Sequence, residues 1–430
     1  MALPKLAADE GLTRAAVAAL SRQLGENDLA CRARVDAFEA FERLPLPAWR
    51  LSRAGKRTLS ALDLSSITPY APQPAIGSAP EDDGAATCIV TVDGEPALVR
   101  LAGEIAQQGA YVAPLEQALY ERPELVRPHL GSVVGADTNR FSALNAALRR
   151  GGLFVHVPKG AVLREPIELL TIVEGASLFP HLLIVAEEHA AVDVIERIAS
   201  RANPTERLRL LCPVSEIVAK AGARVRYAAL QQLGDDVSEV AIRRATAGRD
   251  ANVELAPVVL GGDLVRSDAE IVLEGSGASG RVREVFFASG RAAFDLSSSI
   301  THAAPHSSGD ALVLGAANGA GQAAFRGMIS ILEQGAGAES NLKSRALLLS
   351  PKAHVDAVPG LEIANNDVKA YHGATVGEID EETLFFCQAR GIALDEARRM
   401  IVTGFFSPVV DAIASPLAQA WLHHAIESKL

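Results

Sequence analysis

The spacing of hydrophobic residues changes twice along the chain and divides it into three parts. In the first part apolar residues recur every third or fourth position, which is the period of an amphipathic helix. Two such stripes consist of Leu12, Ala16, Leu20 and Leu24, and of Val35, Phe38 and Phe41. We therefore predict two helices, the second capped by Asn27 or Asp28 and ended by Pro45 and Pro47.

The rest of the N-terminal part is less regular. Residues 65–95 are rich in proline, serine, glycine and aspartate, a composition that favours an irregular linker. Two more helices are predicted near 113–121 and 138–149. Thr138 is the expected cap of the latter, and Gly151-Gly152 its expected end.

From about residue 152 to 376 the helical period disappears, and short runs of alternating apolar and polar residues replace it. Runs of this kind, bounded by Gly, Asp, Asn or Pro, are typical of strands. The clearest of them lie at 182–185, 223–228, 271–273, 281–287 and 293–300. The middle part of the chain is therefore predicted to be built from strands.

A weak repeat runs through these strands. EHAAVDV, AGARVRY, RDANVEL and ASGRVRE each lead from a turn into a strand, centred on Val192, Val225, Val253 and Val282. A period of roughly 30 residues is typical of solenoids, in which each turn buries its apolar face by stacking on the next. We predict a mainly β fold, a right-handed parallel β-helix with about three short strands per turn and helices at both ends. The alternative is a β-sandwich or barrel, which the number of strands disfavours.

Helical periodicity returns after residue 380. Glu381 and Glu382 suit the start of a helix over 383–390, which Gly391 ends. A second helix is predicted over 394–414 and a third from Ser415-Pro416. The second helix carries an apolar stripe at Leu394, Ala397, Ile401, Phe405 and Val409. Its segment 401–406 carries more apolar surface than a terminal pair of helices can bury. The surface left exposed indicates a docking site for a partner.

Composition narrows the classes of function. The chain has 430 residues, 49% hydrophobic and 22% charged, as in an ordinary globular protein. Its net charge of −11 argues against nucleic acid or an anionic membrane as a standing partner. No apolar run suits a membrane-spanning helix, and no leader sequence is evident. The cysteines have no C-x-x-C spacing, so we expect a reducing, cytoplasmic location.

We divide the chain into an N-terminal helical region with a linker (1–130), a β-helix core (131–376) and a C-terminal helical docking domain (377–430). The motifs of common enzyme classes are missing from all three. The nearest approach to a phosphate-binding loop, at 54–58, lacks the upstream glycine, so no nucleotide is expected on this chain. There is no nucleophile elbow and no H-E-x-x-H helix. The glycines at 275–280 lie between two strands and are interpreted as a turn.

A carbohydrate-active β-helix enzyme is an open alternative, because such enzymes place clustered carboxylates on the solenoid surface. The candidates for that cluster are Asp235, Asp236, Asp263 and Asp268. Acidic residues are common in solenoid turns, and aromatics that could stack on sugars are scarce, at 5%. Both observations count against this alternative.

Three histidines are candidate ligands. His302 and His306, four residues apart at the end of a strand, could share a ligand. His372 lies in the last strand before the C-terminal helices, where the residue pattern alone favours a buried structural histidine. The remaining histidines are explained as satisfied or solvated side chains: His129, His156, His181, His189, His423 and His424.

The chain resembles the SufB/SufD family from about residue 138 onwards. The resemblance is carried by SITH (299–302), APH (304–306), FRGMI (325–329), LEI (361–363), HGATVG (372–377), ID (379–380), LF (384–385) and ARGI (389–392), and more weakly by FSALN (141–145) and VPKG (157–160). The stretch that begins at Trp49 departs from the aromatic and basic pattern of the family.

This resemblance implies a scaffold for iron–sulfur cluster assembly and no catalytic activity in this chain. In the family, SufB and SufD are β-helix subunits that form a heterodimer, and a SufC-type ATPase docks on their C-terminal helices. A transient cluster assembles near the heterodimer interface, held by a cysteine of SufB and a histidine of SufD. The histidine of the family motif H-G-A-T corresponds to His372 here.

The resemblance also separates the two subunit types. The SufB pattern would place its cysteine at Ser344 and its glutamate at Gly373, so this chain resembles SufD. Cys387 is interpreted as a core thiol within a helix. A SufB-like cluster carrier acting as a homodimer remains a third hypothesis, and a homodimer is also an expected form of the isolated SufD-type chain.

Overall fold

The computed structural model describes residues 11–47, 59–67, 85–175, 177–202 and 208–430. The stretch that begins at Trp49, the glycine–lysine segment at 54–58 and most of the predicted linker lie outside these residues.

The described chain has helical segments at both ends of a strand-rich middle. The helices are α1 (Arg14–Gln23), α2 (Asp28–Arg43), α3 (Gly103–Gln107), α4 (Leu115–Glu121), α5 (Pro123–Val126), α6 (Arg140–Leu148), α7 (Glu381–Gln388), α8 (Leu394–Val410) and α9 (Pro416–Glu427). The strands are β1 (Thr87–Val92), β2 (Glu95–Arg100), β3 (Tyr111–Pro114), β4 (Leu153–Val157), β5 (Ile167–Val173), β6 (His181–Ala186), β7 (Ala191–Ser200), β8 (Leu210–Leu211), β9 (Val214–Ala219), β10 (Arg224–Gln232), β11 (Ser238–Ala247), β12 (Asn252–Val259), β13 (Leu264–Leu273), β14 (Ser279–Ala288), β15 (Ala293–His302), β16 (Ser308–Ala317), β17 (Gln322–Ile331), β18 (Ala338–Leu348), β19 (His354–Ile363) and β20 (Val368–Glu378).

The strands form two facing ten-stranded sheets, and the chain alternates between them. One sheet has the order β2-β1-β5-β7-β10-β12-β14-β16-β18-β20. The other has the order β19-β17-β15-β13-β11-β9-β6-β4-β3, with the two-residue strand β8 as its tenth member, paired with β11 beside this path. Pairing is parallel except at β1–β2 and β3–β4. The predicted parallel β-solenoid is confirmed, but the predicted three strands per turn are wrong. Most strands are about ten residues long, so two of them with their turns use up the thirty-residue period.

Three of the four repeated valines mark one interior column of the first sheet, and the fourth lies in the next interior column. Val225 pairs with Val192 on one side and with Val253 on the other. Val253 pairs with Gly280, and Val282 pairs with Leu255. The fourth valine therefore lies two residues further along its strand, still on the interior face because side chains alternate with a period of two.

The solenoid interior is apolar but also contains hydrogen-bonded polar groups. Tyr227 donates to Glu196, and its hydroxyl lies 2.9 Å from Ser215 Oγ. Ser298 donates to the carboxylate of Glu284, a fully buried residue. Burial raises the pKa of Glu284 to about 7, although the bond from Ser298 opposes this shift.

The N-terminal helices pack on the outer face of the second sheet. α1 and α2 confirm the predicted helix pair, and Asn27 rather than Asp28 caps α2, accepting from the Ala30 amide at 3.0 Å. The cap of α6 is Asn139 and not the predicted Thr138. Asn139 accepts from two helix amides, and the Ser142 hydroxyl accepts from the Asn139 amide in return at 3.0 Å, a reciprocal arrangement that Thr138 is too early to form.

The predicted irregular linker is wrong over its last residues, because β1 begins at Thr87 and the β1–β2 hairpin continues to Arg100. β1 pairs in parallel with β5, so its backbone groups are satisfied by a strand some eighty positions later in sequence. The composition of residues 65–95 gives no information about a pairing partner so distant in the sequence. The polar residues that flank β1 therefore favoured a linker instead of a strand.

The C-terminal helices cover the outer face of the first sheet. Ala397, Val402, Phe406 and Val409 of α8 are fully buried. The ring of Phe406 lies 6.3 Å from that of Phe287 on β14. The predicted stripe is therefore partly wrong, since Leu394 is exposed and Ile401 and Phe405 are half-buried. Ser415 caps α9 as predicted and also donates to Glu168 Oε1 at 2.8 Å.

Replacing Phe406 by alanine is expected to destabilise the fold by about 3–5 kcal/mol, because it leaves a cavity between α8 and the sheet. Thermal or denaturant unfolding measures this loss. Met400→Ala is the matched control on the same helix, since Met400 is exposed, and its effect is expected to stay below about 0.5 kcal/mol. Equal effects of the two substitutions would contradict this packing.

The buried carboxyl of Glu284 predicts a pH-dependent stability difference. Its pKa is raised in the folded state, so its stabilising contribution is present below the unfolded carboxyl pKa of about 4.3 and is lost as pH rises through about 7. Glu284→Gln cannot ionise and is expected to be more stable than the wild type above that pH, by on the order of 2–3 kcal/mol. Melting temperatures of both proteins across this range test the prediction. The exposed control Glu333→Gln should show no such trend, and a pH-independent difference for Glu284→Gln would refute it.

Candidate functional site

The last turn of the solenoid is open. β19 pairs only with β17 and β20 only with β18 among the described strands, so each leaves one edge unpaired. Apolar side chains are exposed on this turn, including Val358 at 55% and Tyr371 at 65%. At the opposite end Ile105 of α3 is buried in the interior core cluster. Both ends have an outermost strand in each sheet, so the difference lies in how the interior is covered. Ile105 fills it at the first end, whereas most residues of β20 on the last turn are exposed.

His372 lies at this open end, on the interior column of the first sheet. It pairs with Leu342 on β18. The preceding members of the column, Val194, Tyr227, Leu255, Val282, Ala311 and Leu342, are all buried. His372 is exposed because no strand of the described chain stacks on β20. The residue pattern alone favoured a buried histidine, and that interpretation is wrong.

Ser344 and Gly373, the two positions at which the resemblance would place a cysteine and a glutamate, lie near His372. Ser344 is buried on β18 and pairs with Ala374. Gly373 pairs with Lys343 and is exposed, and a Cβ atom added there would meet nothing within 4 Å. A larger side chain would therefore fit at Gly373 without steric conflict, so packing does not require glycine there.

His302 and His306 do not converge. The ring of His302 is buried inside the solenoid, with Nδ1 2.8 Å from Ser307 Oγ. Burial lowers its pKa to about 4, so this imidazole is neutral at physiological pH. His306 is exposed on a turn with a positive φ of 55°, and its ring lies over Gly337.

Several other predicted groups have ordinary partners. His181 is buried, with Nε2 2.8 Å from Glu216 Oε1, and His156 lies 3.7 Å from Glu187. Of the carboxylates weighed for a carbohydrate site, Asp236 pairs with Arg209 and Asp268 pairs with Arg266. Within the described residues, no group of three or more His, Cys, Asp or Glu side chains is arranged to hold a metal ion.

Cys387 is not a core thiol. It is half-buried on α7, a helix without a buried residue. The neighbouring Phe385 and Phe386 are exposed, and Arg390 stacks over the Phe386 ring at 3.4 Å. α7 contacts α8 but buries none of its residues, so its aromatic residues form exposed surface rather than core.

A second open feature lies between β18, β20 and α8. A cavity of about 470 Å³ is lined there by Arg345, Thr375, Ile401 and Phe405 among others. The guanidinium of Arg345 lies 5.3 Å from the centre of the Phe405 ring. Together with the exposed face of α7, this cavity places apolar surface directly after the strand that carries His372.

None of the helices in the described ranges is both long enough and apolar enough to cross a membrane.

Comparison with known proteins identifies the family of this chain. Residues 170–405 match the core domain of the SufBD proteins of the SUF system for FeS cluster assembly, and residues 89–169 match the SufBD N-terminal region. The chain is 30% identical to the iron–sulfur cluster assembly protein SufD of Bacillus subtilis, over 92% of this chain and 93% of that protein. It is 29% identical to a SufBD family protein of Staphylococcus epidermidis, over 93% and 89% of the two chains. The chain belongs to the SufBD family of iron–sulfur cluster assembly proteins.

Proposed function

We propose that this chain is a SufD-type scaffold subunit, without catalytic activity of its own, for the assembly of iron–sulfur clusters in the cytoplasm. In this proposal it pairs with a SufB-like subunit through the open end of the solenoid. A SufC-type ATPase docks on its C-terminal helices, and this chain itself binds no nucleotide. The cluster is transient cargo, shared with the partner, and His372 is one of its ligands.

The placement of His372 is the observation that carries the proposal. It occupies an interior column whose other members are buried, yet it is exposed on an edge strand. A partner that stacks on β20 would enclose the imidazole between two chains. That is a suitable position for a group that must bind a cluster during assembly and release it when the interface opens.

Imidazole suits a ligand of this kind. Histidine replaces cysteine on iron in some clusters, and a cluster needs several ligands. One side chain therefore provides only part of the site, and the remaining ligands must come from elsewhere. Ser344 and Gly373, at the positions of the SufB cysteine and glutamate, cannot supply a thiolate or a carboxylate, which supports the SufD assignment over the SufB one.

The open edges support pairing with another β-solenoid. β19 and β20 present unpaired backbone groups beside exposed Val358, Tyr371 and Val376. An exposed apolar edge of this kind is a liability for a free protein, and a second sheet edge would satisfy it. Because two copies present the same surface, the isolated chain is expected to form a homodimer through it.

The C-terminal surface supports docking of a second partner. Phe385 at 72% exposure and Met400 at 54% lie on α7 and α8, next to the cavity lined by Ile401 and Phe405. α8 is anchored to the solenoid through Phe406, and the cap of the following helix α9, Ser415, is anchored through its hydrogen bond to Glu168. Force applied by an ATPase to this surface would therefore reach the strands that carry the proposed cluster ligand.

His372→Ala is expected to lower the amount of iron and sulfide recovered on the co-expressed complex several-fold, because a ligand is lost, while the complex still assembles. Visible absorbance and iron analysis of the purified complex measure the yield, and size-exclusion chromatography measures assembly. His423→Ala on α9 serves as the control and should leave both unchanged. Normal cluster yield in His372→Ala would remove this residue from the site without affecting the family assignment.

Val376→Arg places a charge on the open edge and is expected to abolish co-purification with the SufB-like subunit, because the charge would be buried without a partner. Val162→Arg is a matched control at the other end of the solenoid, with an exposure of 43% against 37% for Val376. Loss of pairing in both variants, or in neither, would exclude the open end as the interface.

A further inference from the structure

A second cavity lies far along the chain from His372, between the N-terminal helices and the first turns of the solenoid. Its volume is about 330 Å³, within the range of small-molecule sites. Leu29 and Ala33 of α2, Leu119 of α4 and Ala146 of α6 contribute apolar wall. The cavity also contains guanidinium groups, although the chain as a whole is acidic.

Arg149 is the central charged group of this cavity. It follows α6, and its backbone carbonyl accepts a hydrogen bond from Arg34 Nη1 at 2.9 Å. Its half-buried side chain lines the cavity, and in the described ranges it has neither an ion pair nor a side-chain hydrogen bond. Burial, and then the charge of Arg34, lower the pKa of Arg149 to about 10, so it remains protonated at physiological pH.

The neighbouring carboxylates are already engaged. Glu26 accepts from Arg34 Nε and Nη2, both at 2.7 Å. Glu116 accepts from the Gly151 amide at 2.8 Å. Among the residues that the structure describes, Arg149 therefore has no counter-ion within contact distance.

Glu216 is the most fully engaged of these carboxylates. It accepts from the amides of Gly131, Val133 and Val134 at 2.7–2.9 Å and lies 2.8 Å from His181 Nε2. Burial acts to raise its pKa, but the bonds from His181 and the backbone amides outweigh this and hold the pKa below the ordinary value. All of its acceptor positions face existing donors, so it cannot turn to Arg149 without breaking them.

The lining of the cavity includes a second cation. Arg127 lines it, is exposed, and has no side-chain partner in the part of the chain that the structure describes. The cavity lining thus combines the half-buried guanidinium of Arg149, the exposed guanidinium of Arg127 and an apolar wall. A half-buried guanidinium of this kind is stabilised by an anion that can accept two parallel N–H bonds.

We propose that this cavity binds a small organic monocarboxylate, with its carboxylate on Arg149 and its short apolar body against the wall formed by α2, α4 and α6. The site is separate from the proposed cluster site, and no cluster chemistry takes part in it. Its occupancy would tie the N-terminal helices to the solenoid, because residues from both line it.

The test uses the full chain and isothermal titration calorimetry with hexanoate, acetate, hexanol and inorganic phosphate. Hexanoate is expected to bind saturably, more tightly than acetate, which lacks the apolar body, and hexanol is expected not to bind. Arg149→Gln should weaken hexanoate binding roughly tenfold or more, because a charge-assisted pair is lost. Arg249→Gln, at an exposed arginine elsewhere, should not change it.

A folding defect in Arg149→Gln would be visible as a lower melting temperature without ligand. Ala146→Phe, which fills the cavity and leaves both arginines in place, then provides the second variant and should also remove hexanoate binding. Absence of saturable hexanoate binding, or unchanged binding in both variants, would overturn the proposal. Preferential binding of phosphate over hexanoate would also overturn it, since that result indicates a site for inorganic anions.

Discussion

Parallel stacking of one solenoid turn on the next is the constraint on which the rest of this structure depends. Each interior side chain is buried by its own turn and by the turns on either side of it. In the column from Val194 to Leu342 every residue is covered in this way. Elsewhere in the interior, the carboxyl groups of Glu196 and Glu284 are tolerated because the hydroxyls of Tyr227 and Ser298 donate hydrogen bonds to them. The same rule makes the ends of the solenoid special, because an end turn has a neighbour on one side only.

The two ends meet this constraint differently. At the first, antiparallel strands β2 and β3 and the helix α3 complete the sheets and cover the interior. At the second, β19 and β20 remain open, and the next residues along the chain turn away into α7 and α8. In the column that runs from Val194 to Leu342, the next position, on β20, is the exposed imidazole of His372. The chemistry of the proposed site therefore follows from the place where stacking stops.

Much of the architecture could be predicted from local sequence. The alternation after residue 152, the valine repeat, the terminal helices and the caps Asn27 and Ser415 are readable because each depends on residues close to one another. The predictions that proved wrong concern elements whose position depends on a partner far away in the sequence. β1 was hidden because its neighbour is β5, and Cys387 was misplaced because the orientation of α7 depends on how it meets α8.

The sequence by itself determined that this chain is a β-solenoid with helical ends, and its motifs placed His372 within a family pattern. Sequence alone favoured a buried histidine, since an inward position on a strand is normally covered. Only the tertiary structure showed that no strand of the described ranges stacks on β20 above it. It also showed that Arg149 lines a cavity and that Glu26, Glu116 and Glu216 are bonded to other groups. The physical reason is the same in both cases: exposure and electrostatic pairing are decided by neighbours that lie far away along the chain.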